Sequence, residues 1–160
     1  MEDIRRNFDS GQMSILVLID VSKAFDTVSF SILLEKLKNY FVFGTFSCKL
    51  IESYLSFRTE AVISNNKMST LRQIRSGVLQ SSILGPIFFG MFINDILKCC
   101  INSQIHMYAD DVQIYLSRPP AKADILAINM NEDLSRLCAW SQEDRIDAQL
   151  VFKWHTYFIC

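Results

Sequence analysis

The sequence lacks the basic excess that nucleic-acid-binding domains usually carry. Its 160 residues hold 16 Lys and Arg against 17 Asp and Glu, which gives a formal net charge of −1. This balance weighs against binding to a polyanion, unless the basic surface lies in segments outside this sequence. Half of the residues are hydrophobic, so the composition is that of a folded domain with a core.

Patterns for metal binding by cysteine and for membrane insertion are also missing. The five cysteines include no C-x-x-C spacing, and the histidines are His106 and His155. A zinc site is therefore not expected, and the composition indicates a reduced, intracellular chain. No signal peptide is apparent. The uncharged stretch from Ser76 to Asn94 contains glycines, serines and Pro86, which predict a loop followed by a buried helix and not a membrane span.

Apolar periodicity and turn residues predict an α+β fold. The run Ser14–Asp20 predicts a strand covered on both faces, and Asn65-Asn66 between alternating runs predicts a hairpin turn. We expect an antiparallel sheet with helices packed on one face, in a single domain over residues 1–160. Capping residues and helical spacing predict helices after Ser29, over Ser47–Phe57, from Pro86 to about Cys99 and over Asp124–Trp140, with a short helix or approach segment in Met1–Gln12.

The stretch "HMYADDVQIY" places two carboxylates, Asp110 and Asp111, between two strand-like runs. Neighbouring side chains of a regular strand point to opposite faces, so both acids can serve one site only where the chain reverses. Asp20 ends another predicted strand. If the two strands are neighbours, three mutually repelling carboxylates converge, and divalent cations, most naturally magnesium, would neutralise them. The alternative is that the acids cap and solvate an ordinary turn.

Four strings carry a resemblance to a known family. They are "LVLIDVSKAFDTVSFSILLEKLKNY" (Leu16–Tyr40), "SYLSFRTEAV" (Ser53–Val62), "GVLQSSILGPIFFGMFINDI" (Gly77–Ile96) and "YADDVQIY" (Tyr108–Tyr115). In this order they resemble the reverse transcriptase domain of non-LTR retrotransposons of the jockey-like kind, over roughly Ile4 to Lys153. The resemblance implies the palm subdomain of a right-hand polymerase, truncated, with incomplete fingers and no thumb.

The resemblance also implies an activity and its partners. The expected function is that of an RNA-directed DNA polymerase, in which a primer 3′-hydroxyl attacks the α-phosphate of a deoxynucleoside triphosphate. The expected partners are an RNA template, a DNA primer and deoxynucleoside triphosphates, without a membrane. Two Mg²⁺ ions are the expected cofactors, with Mn²⁺ as an alternative. The resemblance suggests work at chromosomal DNA in the nucleus, but the sequence has no convincing basic targeting run, so the location within the cell is left open.

The family motifs assign roles to the acids. By resemblance, Asp20 and Asp110 are the principal metal ligands, Asp111 is a third acid nearby, and the carbonyl of Val21 is a further ligand. These four residues form the expected catalytic and metal-binding set.

Further residues match positions near the substrate. By resemblance, Phe25 is the steric gate that excludes a 2′-hydroxyl, and Gln80 lies near the incoming nucleotide and the template. Lys153 matches a lysine near the triphosphate only with a one-residue shift. Without the family, Phe25 would be a core aromatic, and the other two would be a loop residue and a solvated lysine. Candidate contacts to the template backbone, each otherwise a solvated side chain, are Arg58, Lys67, Arg72 and Arg75.

One loop departs from the family pattern Gly-Val-Pro-Gln-Gly-Ser. Leu79 replaces the proline and Ser81 replaces the second glycine. Leu79 removes the fixed φ that proline gives the loop. Ser81 adds a Cβ where a glycine would let the backbone approach the template closely. Both positions lie where the nucleotide and template are expected to meet. A degenerate, catalytically inactive retroelement remnant is therefore the alternative function. Another two-metal enzyme on a similar fold, such as a cyclase, is the third possibility.

Overall fold

The structure, a computed structural model, describes residues 2–21, 24–79, 82–144 and 155–159; the side chains of Asp20, Ala24 and residues 155–159 lie outside that description. Its helices are α1 (Glu2–Asp9), α2 (Ala24–Thr27), α3 (Phe30–Asn39), α4 (Thr45–Leu55), α5 (Leu84–Ile93) and α6 (Ala123–Glu143), with 3₁₀ turns at Asn94–Lys98 and Pro120–Lys122. Its strands are β1 (Met13–Asp20), β2 (Thr59–Glu60), β3 (Ile63–Ser64), β4 (Lys67–Met68), β5 (Arg72–Gln73), β6 (Gln104–Tyr108), β7 (Asp111–Arg118) and β8 (His155–Ile159).

The chain forms two compact units. Met1–Ser22 and Asn94–Cys160 make up the first, called here the sheet unit, and Lys23–Ile93 make up the second, called here the helical unit. The prediction of a single domain stays a prediction, because compact units of this kind can also be parts of one domain.

The sheet unit is built on a four-stranded sheet in the order β6-β7-β1-β8. Each neighbouring pair is antiparallel, which confirms the predicted mixed fold with an antiparallel sheet. The apolar run of β1 occupies a central position because strands buried on both faces need apolar side chains on both. The sequence patterns assign no element to the region of β8, which pairs with β1.

Helices lie on both faces of this sheet. The helix α1 packs through Ile4 onto Leu16 and Tyr115. Adjacent residues in a strand alternate between faces, so Val17 and Ile114, both almost fully buried, face the other way. Within the described residues of this unit, α6 is the helix that covers this second face, since it contacts both β1 and β7. The prediction of helices on one face is therefore wrong.

The helical unit is held by α3, which packs against α4 and α5. Leu33, Leu37, Leu55 and Phe92 are fully buried in it. The amine of Lys36 is buried with them and donates a 2.8 Å hydrogen bond to the carbonyl of Phe92. Burying a lysine costs free energy unless its amine has hydrogen-bond partners. The bond to Phe92 offsets part of this cost and joins α3 to α5 by a specific contact in addition to apolar packing.

The remaining local predictions are largely confirmed. Asn65 and Asn66 adopt φ of 50° and 58° and join β3 to β4, which is the left-handed pair that a tight hairpin turn requires. The helix after Pro86 is shorter than predicted, because α5 ends at Ile93 and the chain continues as a 3₁₀ turn. No helix in the described ranges combines the length and apolar character that crossing a bilayer requires.

Candidate active site

The acidic pair lies at the tip of the β6–β7 hairpin. Tyr108 and Asp111 form the closing pair of the ladder, so Ala109 and Asp110 make up the loop. Ala109 adopts φ of 54°, the left-handed conformation that short hairpin loops use to match the twist of their strands. The chain reverses at this loop, and the regular alternation of side chains is interrupted. Two neighbouring acids can therefore face one site here.

The backbone of β1 brings Asp20 to the same place. The register of β1 and β7 sets Asp20 directly opposite Asp111. One residue further, the amide of Val21 donates a 3.3 Å hydrogen bond to the carbonyl of Asp110. The end of β1 and the hairpin tip are therefore joined by main-chain pairing, and the predicted approach of the first acid to the pair holds for the backbone.

The carboxylates of the pair have no counter-charge in the described part of the chain. Asp110 is half-buried and Asp111 is exposed. No described side chain donates a hydrogen bond or forms an ion pair with either of them. The described side chains also include no group of three His, Cys, Asp or Glu that could hold a metal ion, a search that does not cover the side chain of Asp20. The pair is accessible and keeps its oxygen atoms available.

The face of the hairpin beside the acids is open. Tyr108 is 83% exposed, and the rings of His106 and Tyr115 stack with centroids 5.5 Å apart. At the far end of this face α1 is attached, where Tyr115 donates a 3.2 Å hydrogen bond to Asp3. The helix covers the end of the strands remote from the tip, whereas Tyr108 beside the carboxylates stays exposed to solvent.

An anchor that the sequence patterns did not reveal lies at the other end of the hairpin. Asp133 on α6 is fully buried and accepts hydrogen bonds from the backbone amides of residues 101–103, from the Ser103 hydroxyl and from Arg136. Burial alone would raise the pKa of Asp133, but the hydrogen bonds from Ser103 and Arg136 outweigh it and lower that pKa below its usual value. The sequence feature that could have indicated this anchor is the position of Asp133 on the apolar face of α6, in line with Met130 and Leu137.

In the helical unit, Phe25 is half-buried and its ring packs on Phe89 with centroids 4.5 Å apart. Its carbonyl accepts a 2.7 Å hydrogen bond from the amide of Val78, and the carbonyl of Val28 accepts a 2.9 Å bond from the amide of Gly77. The segment predicted to carry the gate is thus paired with the start of the loop predicted to approach the nucleotide.

The other predicted substrate contacts fall into three groups. Lys67, Arg72 and Arg75 are exposed and remain available for backbone phosphates. The alternative for Arg58, a solvated side chain, is wrong, because the residue is half-buried and donates hydrogen bonds to backbone carbonyls; its contact to the template stays a prediction. Gln80 and Lys153, with Ser81, lie outside the described residues.

Comparison with known proteins agrees with the resemblance. A family model described as "Reverse transcriptase (RNA-dependent DNA polymerase)" matches residues 1–147. The chain is 32% identical, over 147 residues, to the "Probable RNA-directed DNA polymerase from transposon BS" of Drosophila melanogaster, an alignment that covers 86% of this chain and 16% of the relative. It is 31% identical, over 123 residues, to the "Probable RNA-directed DNA polymerase from transposon X-element" of the same organism, covering 74% of this chain and 13% of the relative.

The match has a defined extent. The chain spans less than a fifth of the length of either relative, whereas the family model covers nearly all of this chain. On that match, and on two transposon relatives above 30% identity, the chain belongs to the reverse transcriptase family and is of the non-LTR retrotransposon type.

Proposed function

We propose that this chain is the palm portion of a retrotransposon reverse transcriptase and that it carries the catalytic acids for RNA-templated synthesis of DNA. The observation that carries the proposal is the main-chain pairing of β1 with the hairpin tip. It sets Asp20 opposite Asp111 and links Val21 to Asp110. Directly opposed residues of an antiparallel pair have Cβ atoms about 5 Å apart, a spacing at which two carboxylates can share a cation.

The donor set fits divalent magnesium. Carboxylate and carbonyl oxygens are the ligands that Mg²⁺ prefers, and unpartnered acids at close range repel one another unless a cation is present. Asp20, Asp110 and Asp111 would hold the ions, with the Val21 carbonyl as a further ligand; Mn²⁺ would occupy the same set. Bound there, two ions would help to deprotonate the primer hydroxyl and stabilise the leaving pyrophosphate.

The chain itself positions the catalytic acids and leaves room for the primer end. The ladder between β1 and β7 fixes the backbone of the acids before any substrate binds, which is the preorganisation that such a reaction needs. The open face beside Tyr108 gives a primer end room to approach. Phe25 would pack under the sugar of the incoming nucleotide and reject a 2′-hydroxyl, while Gln80 and Lys153 would contact the nucleotide. Contacts to the template through Lys67, Arg72 and Arg75 would be to phosphates and carry no sequence preference.

A second candidate, an inactive retroelement remnant, is favoured by the changes at Leu79 and Ser81. Leu79 is 41% exposed, and its carbonyl accepts hydrogen bonds from the amide and the hydroxyl of Ser82. Among the described residues, no acceptor takes the amide hydrogen of Leu79, so a proline there breaks none of the described hydrogen bonds. The double variant Leu79→Pro/Ser81→Gly therefore restores the family pattern without breaking a described contact.

We expect the double variant to extend a DNA primer on an RNA template about tenfold faster than the wild-type chain, since about 1–2 kcal/mol of loop strain or obstruction would be removed. The assay is Mg²⁺-dependent incorporation of deoxynucleotides, with EDTA as the blank. Activity of the wild-type chain above the blank supports the enzyme. Activity in the double variant alone supports the remnant. If neither protein incorporates nucleotides, the proposed activity is wrong for this chain, and the changes at Leu79 and Ser81 are not what abolishes it.

A further inference from the structure

We propose that Arg58 is a positioning residue of the nucleotide site, acting through the peptide group between Gly77 and Val78. The inference rests on the proposed function, because that peptide group leads into the loop of Leu79 and Gln80. It assigns to Arg58 a role different from template binding, and every contact that carries it lies within the helical unit.

Arg58 joins three parts of that unit. Its Nη2 donates a 2.5 Å hydrogen bond to the carbonyl of Gly77, and its Nε donates a 3.2 Å bond to the carbonyl of Leu55 at the end of α4. The guanidinium carbon lies 5.3 Å from the centroid of the Phe30 ring, at the start of α3. A carbonyl at a helix C-terminus lacks a partner within the helix and favours a cation, so Leu55 holds the side chain in its extended position.

The peptide group between Gly77 and Val78 is held at both ends. Arg58 binds its carbonyl oxygen, and the carbonyl of Phe25 accepts a 2.7 Å hydrogen bond from its amide, that of Val78. Since the peptide is planar, fixing both ends fixes the orientation of the whole group. The bond from Arg58 therefore stabilises the bond from Val78 to the predicted gate residue.

Gly77 makes this orientation fragile. It adopts φ of +88°, and a Cβ at this position would lie 2.9 Å from the backbone of Asp26. Glycine is thus required by space and by conformation, yet glycine also permits the neighbouring peptide group to rotate at low cost. Without the cation on its carbonyl, the peptide can flip, which breaks the Val78–Phe25 bond and releases the loop from the gate segment.

The planar fork of arginine is essential to this role. A lysine keeps the charge but cannot reach two carbonyls with a rigid, planar donor set. Arg58→Lys therefore tests the planar donor set with the charge retained, and Arg58→Met removes both the charge and the hydrogen bonds. Arg5→Lys and Arg5→Met, at an exposed residue of α1, are the matched controls.

The first measurement is hydrogen exchange at individual backbone amides. We expect Arg58→Lys to accelerate exchange of the Val78 amide about tenfold, the effect of losing one charge-assisted hydrogen bond, while amides within α3 and α5 keep their wild-type rates. Unchanged exchange at Val78 would overturn the inference. Equal acceleration at Val78 and throughout α3 would also overturn it, since that result marks a general loss of stability.

The second measurement separates this inference from the proposed function. In primer extension, Arg58→Lys should raise KM for the deoxynucleotide and lower discrimination against the ribonucleotide about tenfold, with kcat nearly unchanged. An active wild-type chain whose KM and discrimination do not respond to Arg58→Lys contradicts the inference alone. A wild-type chain that incorporates no nucleotide contradicts the proposed function, and the positioning role falls with it whatever Val78 shows.

Discussion

Replacing Asp110 with Asn is expected to lower Mg²⁺-dependent primer extension by about a thousandfold or more, because one side chain of the proposed ion-binding set loses its charge. The substitution keeps the size of the side chain and its place at the hairpin tip. No described hydrogen bond is lost with it, since the one bond to this residue from Val21 uses the main-chain carbonyl. The measurement is the initial rate of deoxynucleotide incorporation on an RNA template at saturating primer.

The control is Asp9→Asn, which removes one exposed carboxylate at the end of α1. It should extend the primer at the wild-type rate. Asp110→Asn should also unfold at a temperature equal to or above that of the wild type without metal, because one of several repelling charges is gone. Equal rates for wild type and Asp110→Asn would mean that the acids take no part in the reaction.

The largest effect on folding is expected at Asp133. Replacing it with Ala removes the acceptor for the amides of residues 101–103 and leaves the guanidinium of Arg136 without its 2.7 Å partner. Leaving buried donors unpaired costs about 3–5 kcal/mol. Denaturant unfolding should show this loss, whereas Asp124→Asn, at an exposed position of the same helix, should cost less than about 1 kcal/mol.

The same residue gives a pH dependence with a defined sign. The pKa of Asp133 is lowered in the folded protein, because hydrogen bonds from Ser103 and Arg136 outweigh the effect of burial. Its contribution to stability is then fully present above the usual pKa of 3.8 and is lost as the pH falls through the lower, folded-state value. Asp133→Asn should flatten the acid limb of the stability curve. A limb as steep as that of the wild type would contradict this assignment.

The sequence patterns were most informative where local physics decides the structure. The apolar run ending at Asp20 predicted the strand β1. The neighbouring acids Asp110 and Asp111, between two strand-like runs, predicted the turn of the β6–β7 hairpin, because two adjacent side chains can serve one site only where the chain reverses. Asn65-Asn66 predicted its turn because both residues tolerate left-handed φ. The convergence of the acids was conditional on β1 and β7 being neighbours, and the register of the structure meets that condition.

Other features depend on contacts between distant segments, which periodicity does not encode. The sequence places Arg58 among the candidate template contacts and gives no sign of its bond to Gly77, which lies far along the chain. Asp133 lies in line with Met130 and Leu137 on α6, but an acid on an amphipathic helix usually faces solvent, so the helical pattern alone does not predict its burial or its partners in residues 101–103. The position of α1 on the sheet depends on pairs such as Asp3 with Tyr115. The sequence pattern does not predict such distant pairs, and it therefore favours helices on one face of the sheet only.

Binding of Mn²⁺ to the purified chain, followed by electron paramagnetic resonance, tests whether the three acids hold a common ion, and it needs neither template nor turnover. We expect Asp20→Asn and Asp111→Asn each to weaken binding at least about tenfold, because a shared ion loses a charged ligand, and Asp9→Asn to bind like the wild type. Binding by Asp20→Asn that equals wild-type binding would show that the acid of β1 and the acids of the hairpin do not hold a common ion.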